Sequence, residues 1–90
     1  MTRSAMTDAE LRDAHGQCIR NRETIIRSAA CGCIYCCEVF EPWEIESWTD
    51  SGETAMCPKC GMDAVVGAAS GWALTDQFLE AMHARWFGHD

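Results

Sequence analysis

Apolar residues recur at helical spacing near the start of the chain: Leu11, Ala14, Cys18, Ile25 and Ala29 form one stripe, which Ile19 and Ile26 widen. Thr7 and Glu10 stand at its head with the spacing of a capping box, each able to satisfy the other's backbone amide. The pattern predicts one helix over residues 7–29, with residues 1–6 as a flexible tail. Gly16 weakens such a helix without breaking it, and Asn21 interrupts the stripe with an amide. The helical segment (7–30) ends at Cys31-Gly32, where glycine permits a turn.

Further along, Pro42 suits the first turn of a short helix, and Ile45 and Trp48 are three apart on it, with Ser51-Gly52 as its end. Thr54-Ala55-Met56 and Ala64-Val65-Val66 read as two short strands with Gly61 in the turn between them. A last helix is predicted over 75–87. Thr75 is its N-cap, Asp76 and Glu80 lie early, and His83 and Arg85 lie late, matching the helix dipole. Phe78, Leu79, Met82 and Trp86 share one face of it, which reads as core.

At 90 residues the chain reads as a single domain, 1–90, too small to rest on its hydrophobic core alone. Seven cysteines, an odd number, change that picture. The Met1–Glu10 segment lacks the apolar centre of a signal peptide, and no apolar run spans a membrane, so the expected location is the cytoplasm. In that reducing compartment paired cysteines bind metal or do redox work.

Cys33-Ile34-Tyr35-Cys36 and Cys57-Pro58-Lys59-Cys60 are two CxxC pairs separated by twenty residues, Cys37 to Met56. Two intervening residues let a tight turn aim both sulfurs at one point, and two such turns supply a tetrahedron of thiolates. The expectation is one structural zinc ion per chain held by Cys33, Cys36, Cys57 and Cys60, although four thiolates accept iron as well. Cys31 and Cys37 flank the first pair, so spacing alone leaves a shifted ligand register open. Cys18, on the apolar stripe, reads as a small buried hydrophobe.

The two loops and the helix that follows resemble the zinc-ribbon and treble-clef group of small metal folds, over about residues 31–87. More narrowly, Cys31-Gly32-Cys33-Ile34-Tyr35-Cys36 with Glu44-Ile45, Trp48, Thr54-Ala55, Cys57-Pro58-Lys59-Cys60-Gly61 and Asp63 is similar to a set of small, uncharacterised bacterial and phage proteins. The resemblance implies a zinc-ribbon or treble-clef-like arrangement of that stretch, and with the helices read above the expected fold is small α+β: a long N-terminal helix, a four-cysteine zinc module with a short hairpin over 31–90, and a C-terminal helix. It also implies zinc binding in the cytosol. Some treble-clef relatives are HNH-type nucleases whose catalytic histidine falls between or near the cysteine loops. The histidines here are His15, His83 and His89, so that motif does not carry over and no catalytic residue is assigned. His15, Asn21 and His83 stand as candidates for a polar site, and Asp63 reads as a turn cap rather than a magnesium ligand. Asn21 has a further use, fixing helix register in an assembly.

The net charge of −7 becomes about −9 once four thiolates and a divalent ion are counted, which disfavours nucleic acid as a partner. Four of the seven basic residues, Arg12, Arg20, Arg22 and Arg27, lie on the first predicted helix. From Ser28 to Pro58 there is no Lys or Arg, only Glu38, Glu41, Glu44, Glu46, Asp50 and Glu53. A helix over 7–29 would span about 34 Å and overhang so small a module, and Trp43, Trp48, Trp72 and Trp86 are more tryptophan than it readily buries. These features point to a non-enzymatic adaptor or regulator that contacts a protein partner, or a second copy, through the N-terminal helix. A divergent nuclease, or nucleic-acid binding through an arginine face, is the alternative.

Overall fold

The computed structural model describes residues 7–88. The expected 1–6 tail and His89 lie outside them. The fold is a small α+β arrangement: helices α1 (Asp8–His15) and α2 (Arg22–Arg27), strands β1 (Cys31–Cys33), β2 (Val39–Phe40), β3 (Trp48–Thr49), β4 (Thr54–Ala55) and β5 (Val65–Gly67), and helix α3 (Asp76–Trp86). Two antiparallel sheets result, one of order β2-β1-β5 and one pairing β3 with β4. Register places Gly32 opposite both Val39 and Val66, and Trp48 opposite Ala55.

The single N-terminal helix does not form. The Thr7/Glu10 capping box is in place, and α1 passes into a 3-10 turn at Gly16–Cys18. Ile19 is then extended, and Arg20 takes a left-handed φ of 47°. The break lies past Gly16, and its cause is Asn21, which is buried at 3% exposure. Its Nδ2 donates to the carbonyls of Gln17 (2.9 Å) and Val65 (2.7 Å), and its Oδ1 accepts the amide of Ala55 (3.0 Å). Next to it, the Arg20 amide donates to Thr54 Oγ1 at 2.8 Å. An uninterrupted helix would leave the Val65 carbonyl and the Ala55 amide without these partners, and orphaned buried peptide groups cost more than a helical turn gains. The overhang inferred from a 34 Å helix therefore disappears, and so does a continuous arginine face.

The expected helix near 42–48 is also replaced. Pro42–Glu44 forms only a 3-10 turn, with the Glu41 amide bonded to Glu44 Oε2 at 2.9 Å. Trp48 is in a strand because β4 offers it a pairing edge, and the Arg22 guanidinium lies 4.9 Å from its ring centroid. The two strands expected around the second cysteine pair both exist, but they join different sheets: β4 pairs with β3, and β5 with β1.

α3 matches its prediction. Thr75 Oγ1 accepts the Phe78 amide at 3.1 Å, and Phe78, Leu79 and Met82 are buried. Gly32, expected to make a turn, is instead a strand residue against this helix: a Cβ there would lie 3.1 Å from Leu79 Cδ2, closer than ordinary packing. The core joins these elements through Ile25, Ile34, Val65, Val66, Leu79 and Met82.

Replacing Asn21 with alanine removes three hydrogen bonds and orphans buried peptide groups that each cost about 1–3 kcal/mol. Urea unfolding of the metal-loaded Asn21→Ala variant is expected to show a loss of about 3 kcal/mol or more, with the metal content unchanged.

Candidate metal centre

Each cysteine pair lies in a turn set between strands, and the two turns repeat one another bond for bond. In the first, the Cys33 amide donates to the Glu38 carbonyl (3.0 Å) and the Cys37 amide to the Cys33 carbonyl (2.8 Å). In the second, the Cys57 amide donates to the Met62 carbonyl (2.8 Å) and the Gly61 amide to the Cys57 carbonyl (2.9 Å). Amides also point at the leading sulfurs: Tyr35 and Cys36 donate to Cys33 Sγ at 3.3 and 3.5 Å, and Lys59 to Cys57 Sγ at 3.3 Å. Such donors stabilise a thiolate, because they offer hydrogen to the charged form.

The β1–β5 pairing, with Cys33 opposite Val65, brings the two turns face to face. Cys33 Sγ lies 3.6 Å from Cys60 Sγ, and Cys36 Sγ 3.7 Å from Cys57 Sγ. All four sulfurs are within 4.8 Å of one another. With metal–sulfur bonds of about 2.3 Å, a tetrahedron has edges of about 3.8 Å. Cys33, Cys36, Cys57 and Cys60 thus fit a tetrahedral ion, and this cluster can hold one. Four sulfurs fill the coordination shell, so an ion bound here holds the two turns together and retains no open position for a substrate.

The flanking cysteines are outside the cluster. Cys31 is a buried strand residue opposite Phe40 and Gly67. Cys37 occupies the place that Gly61 holds in the second turn, and both have left-handed backbones, φ 62° and 84°. Its role was readable from the equal offset of Cys37 and Gly61 behind their pairs. Among the described residues the four-sulfur cluster comprises Cys33, Cys36, Cys57 and Cys60, without Cys31 or Cys37. Burial pushes the Cys31 thiol up to about 11 and, with the nearby Asp63 carboxylate, the Cys18 thiol up to about 12. Within the cluster, burial raises Cys33 beyond the usual range and takes Cys36 up to about 11. Burial opposes ionisation of Cys57 too, but the amides of Cys60 and Lys59 and the neighbouring thiols outweigh it and lower that thiol.

The candidates for a polar site do not converge. Asn21 is spent on backbone groups, as described above. His15 stacks on Trp86 with centroids 4.0 Å apart, and His83 Nδ1 lies 3.2 Å from the Ile34 carbonyl. Asp63 accepts no hydrogen bond among the described residues, so it is not the expected turn cap; it is exposed at a cleft of about 230 Å3 shared with His15, Cys18, Ile34, Met62 and Phe87. The structural role of Asn21 was the main feature missed. Its one sequence signal was an amide in the middle of an apolar stripe.

No family model, no curated protein and no solved structure matches the chain. Among the described residues, no helix is long and apolar enough to cross a membrane.

Cys31→Ser and Cys37→Ser variants are expected to retain one metal ion per chain by native mass spectrometry, whereas Cys33→Ser and Cys57→Ser lose both metal and fold. Cys37→Gly should stabilise the protein by about 1 kcal/mol, because it relieves a left-handed side chain. Cys18 makes the pH dependence testable. Its folded value of about 12 lies above the ordinary value near 9, so its contribution is complete below pH 9 and is lost as pH rises toward 12. Denaturant titrations from pH 8 to 11 should show stability falling across that window, with a shallower fall in Cys18→Ala.

Proposed function

We propose that the chain is a zinc-stabilised, non-enzymatic adaptor or regulator, a ribbon- or treble-clef-like module that works in the cytoplasm by contacting another protein. The observation that carries this reading is the saturated four-sulfur cluster: its donor set suits zinc, and a closed site supports folding rather than catalysis. In zinc-finger peptides such binding is worth roughly 10–16 kcal/mol at neutral pH, as much as a small domain's whole stability of about 5–15 kcal/mol.

Surface chemistry supports a protein partner over nucleic acid. Arg12 pairs with Asp8 at 2.6 Å, Arg85 with Asp8 at 3.0 Å, and Arg22 Nη1 donates to the Gly52 carbonyl at 2.8 Å. These cations are committed within the chain, which leaves little for a phosphate backbone. The acidic segment, by contrast, carries Trp43 at 77% exposure. The broken N-terminal segment also leaves Ile19 and Ile26 outward at 54% and 63%, so contact through that segment, with a partner or a second copy, keeps physical support without an overhanging helix.

Zinc chelation is expected to unfold the chain cooperatively in circular dichroism, and readdition of zinc to refold it. Metal analysis of the native protein decides between zinc and iron. A chain that light scattering finds monomeric at high concentration, and that crosslinks to no partner in cell extract, would overturn the adaptor reading.

A further inference from the structure

The three-stranded sheet has two margins, and they are treated differently. Bonds from the Ile34 amide to the Ala64 carbonyl (2.9 Å) and from the Ala68 amide to the Ala30 carbonyl (2.9 Å) turn alternate peptide groups of β1 toward β5, whereas the Cys33 amide turns to Glu38 on the β2 side. The alternation of an antiparallel ladder then fixes both outer margins. Val65, opposite Cys33, turns its carbonyl outward on the β5 side, and Asn21 caps it at 2.7 Å. Val39, opposite Gly32, turns its N–H and carbonyl outward on the β2 side, where β2 ends the sheet. Its side chain is 48% exposed.

The chemistry around that margin has one sign. Glu38 and Glu41 are exposed on either side of Val39-Phe40, and the carboxylates of Glu38, Asp76 and Glu80 all act on neighbouring Cys37. The exposed Trp43 ring is held beside Glu41 by a hydrogen bond from its Nε1. Lys59, the first cation after that segment in sequence, is paired with Glu44 at 3.3 Å. An open strand edge with acidic flanks and a free aromatic face suits an extended chain that carries cations. A second copy is the poorer occupant, because pairing β2 with itself would set the glutamates of two acidic strands against each other.

We propose that the open margin of β2 accepts an extended, Lys/Arg-rich segment of a partner protein as a fourth strand, with Glu38 and Glu41 selecting its cations and Trp43 stacking against one of them. The proposal rests on the adaptor reading and names its surface.

The test uses the zinc-loaded chain and a labelled peptide of four alternating Arg-Val units, followed by fluorescence anisotropy. Saturable binding is expected, weakened at least tenfold when alternate peptide amides are N-methylated, which keeps the charge but removes the ladder donors. A Glu38→Lys/Glu41→Lys variant should bind at least tenfold more weakly, Trp43→Ala severalfold more weakly, and the Val39 amide should gain protection from hydrogen exchange on binding. Absence of binding overturns the proposal, as does equal binding of the N-methylated peptide, which would mean charge attraction alone. A dimer formed through β2 would overturn it too. If a cellular partner is still captured in full by the Glu38→Lys/Glu41→Lys variant, the edge proposal fails while the adaptor reading stands.

Discussion

Convergence of four sulfurs from two turns is the constraint on which the remaining structure depends. Cys33 and Cys60 are far apart in sequence, yet their sulfurs lie 3.6 Å apart. Thiols at that distance attract one another little, and burial favours their neutral forms. A bound cation reverses that balance by making four thiolates the favoured state, and it ties the sheet margin that carries the first turn to the chain that leads into α3. The short strands need such a tie: none is longer than three residues, and isolated hairpins of that size are marginal in water.

Asn21 performs the complementary task on the polar side. One side chain reaches both sheets, giving hydrogen to Val65 in β5 and taking it from Ala55 in β4. The helical continuity of the N-terminal segment is surrendered to allow it, and Arg20 bears a left-handed backbone as part of the cost. The two sheets are therefore linked by one buried amide and by the four-sulfur cluster, which can hold a metal ion. Helix α3 covers the first turn, with Leu79 against Gly32 and His83 near the Ile34 carbonyl. Under the adaptor reading proposed above, function lies at the surface, in the acidic segment between the turns and the open edge of β2.

Features that depend on residues within four positions of each other could be read directly. The Thr7/Glu10 box, the Thr75 cap, the apolar face of α3 and the two CxxC turns are all of this kind, because helix caps and metal knuckles are local bond patterns. The segment at 42–48 failed for the opposite reason: Ile45 and Trp48 have helical spacing, but Trp48 is claimed by Ala55 across a strand pair that local pattern does not record.

The chain's own residue order determined the two CxxC turns that make up the four-sulfur cluster and the helix that covers the first of them, since each is written as a short-range spacing. Tertiary structure alone decided that Cys31 is spent as a buried strand residue, that Asn21 breaks a helix to cap two strands, and that β2 rather than β5 is left with an open edge. Those outcomes turn on which distant backbone groups arrive unsatisfied at a given point in space. Hydrogen-bond demand in a buried interior is settled only once the strands have met.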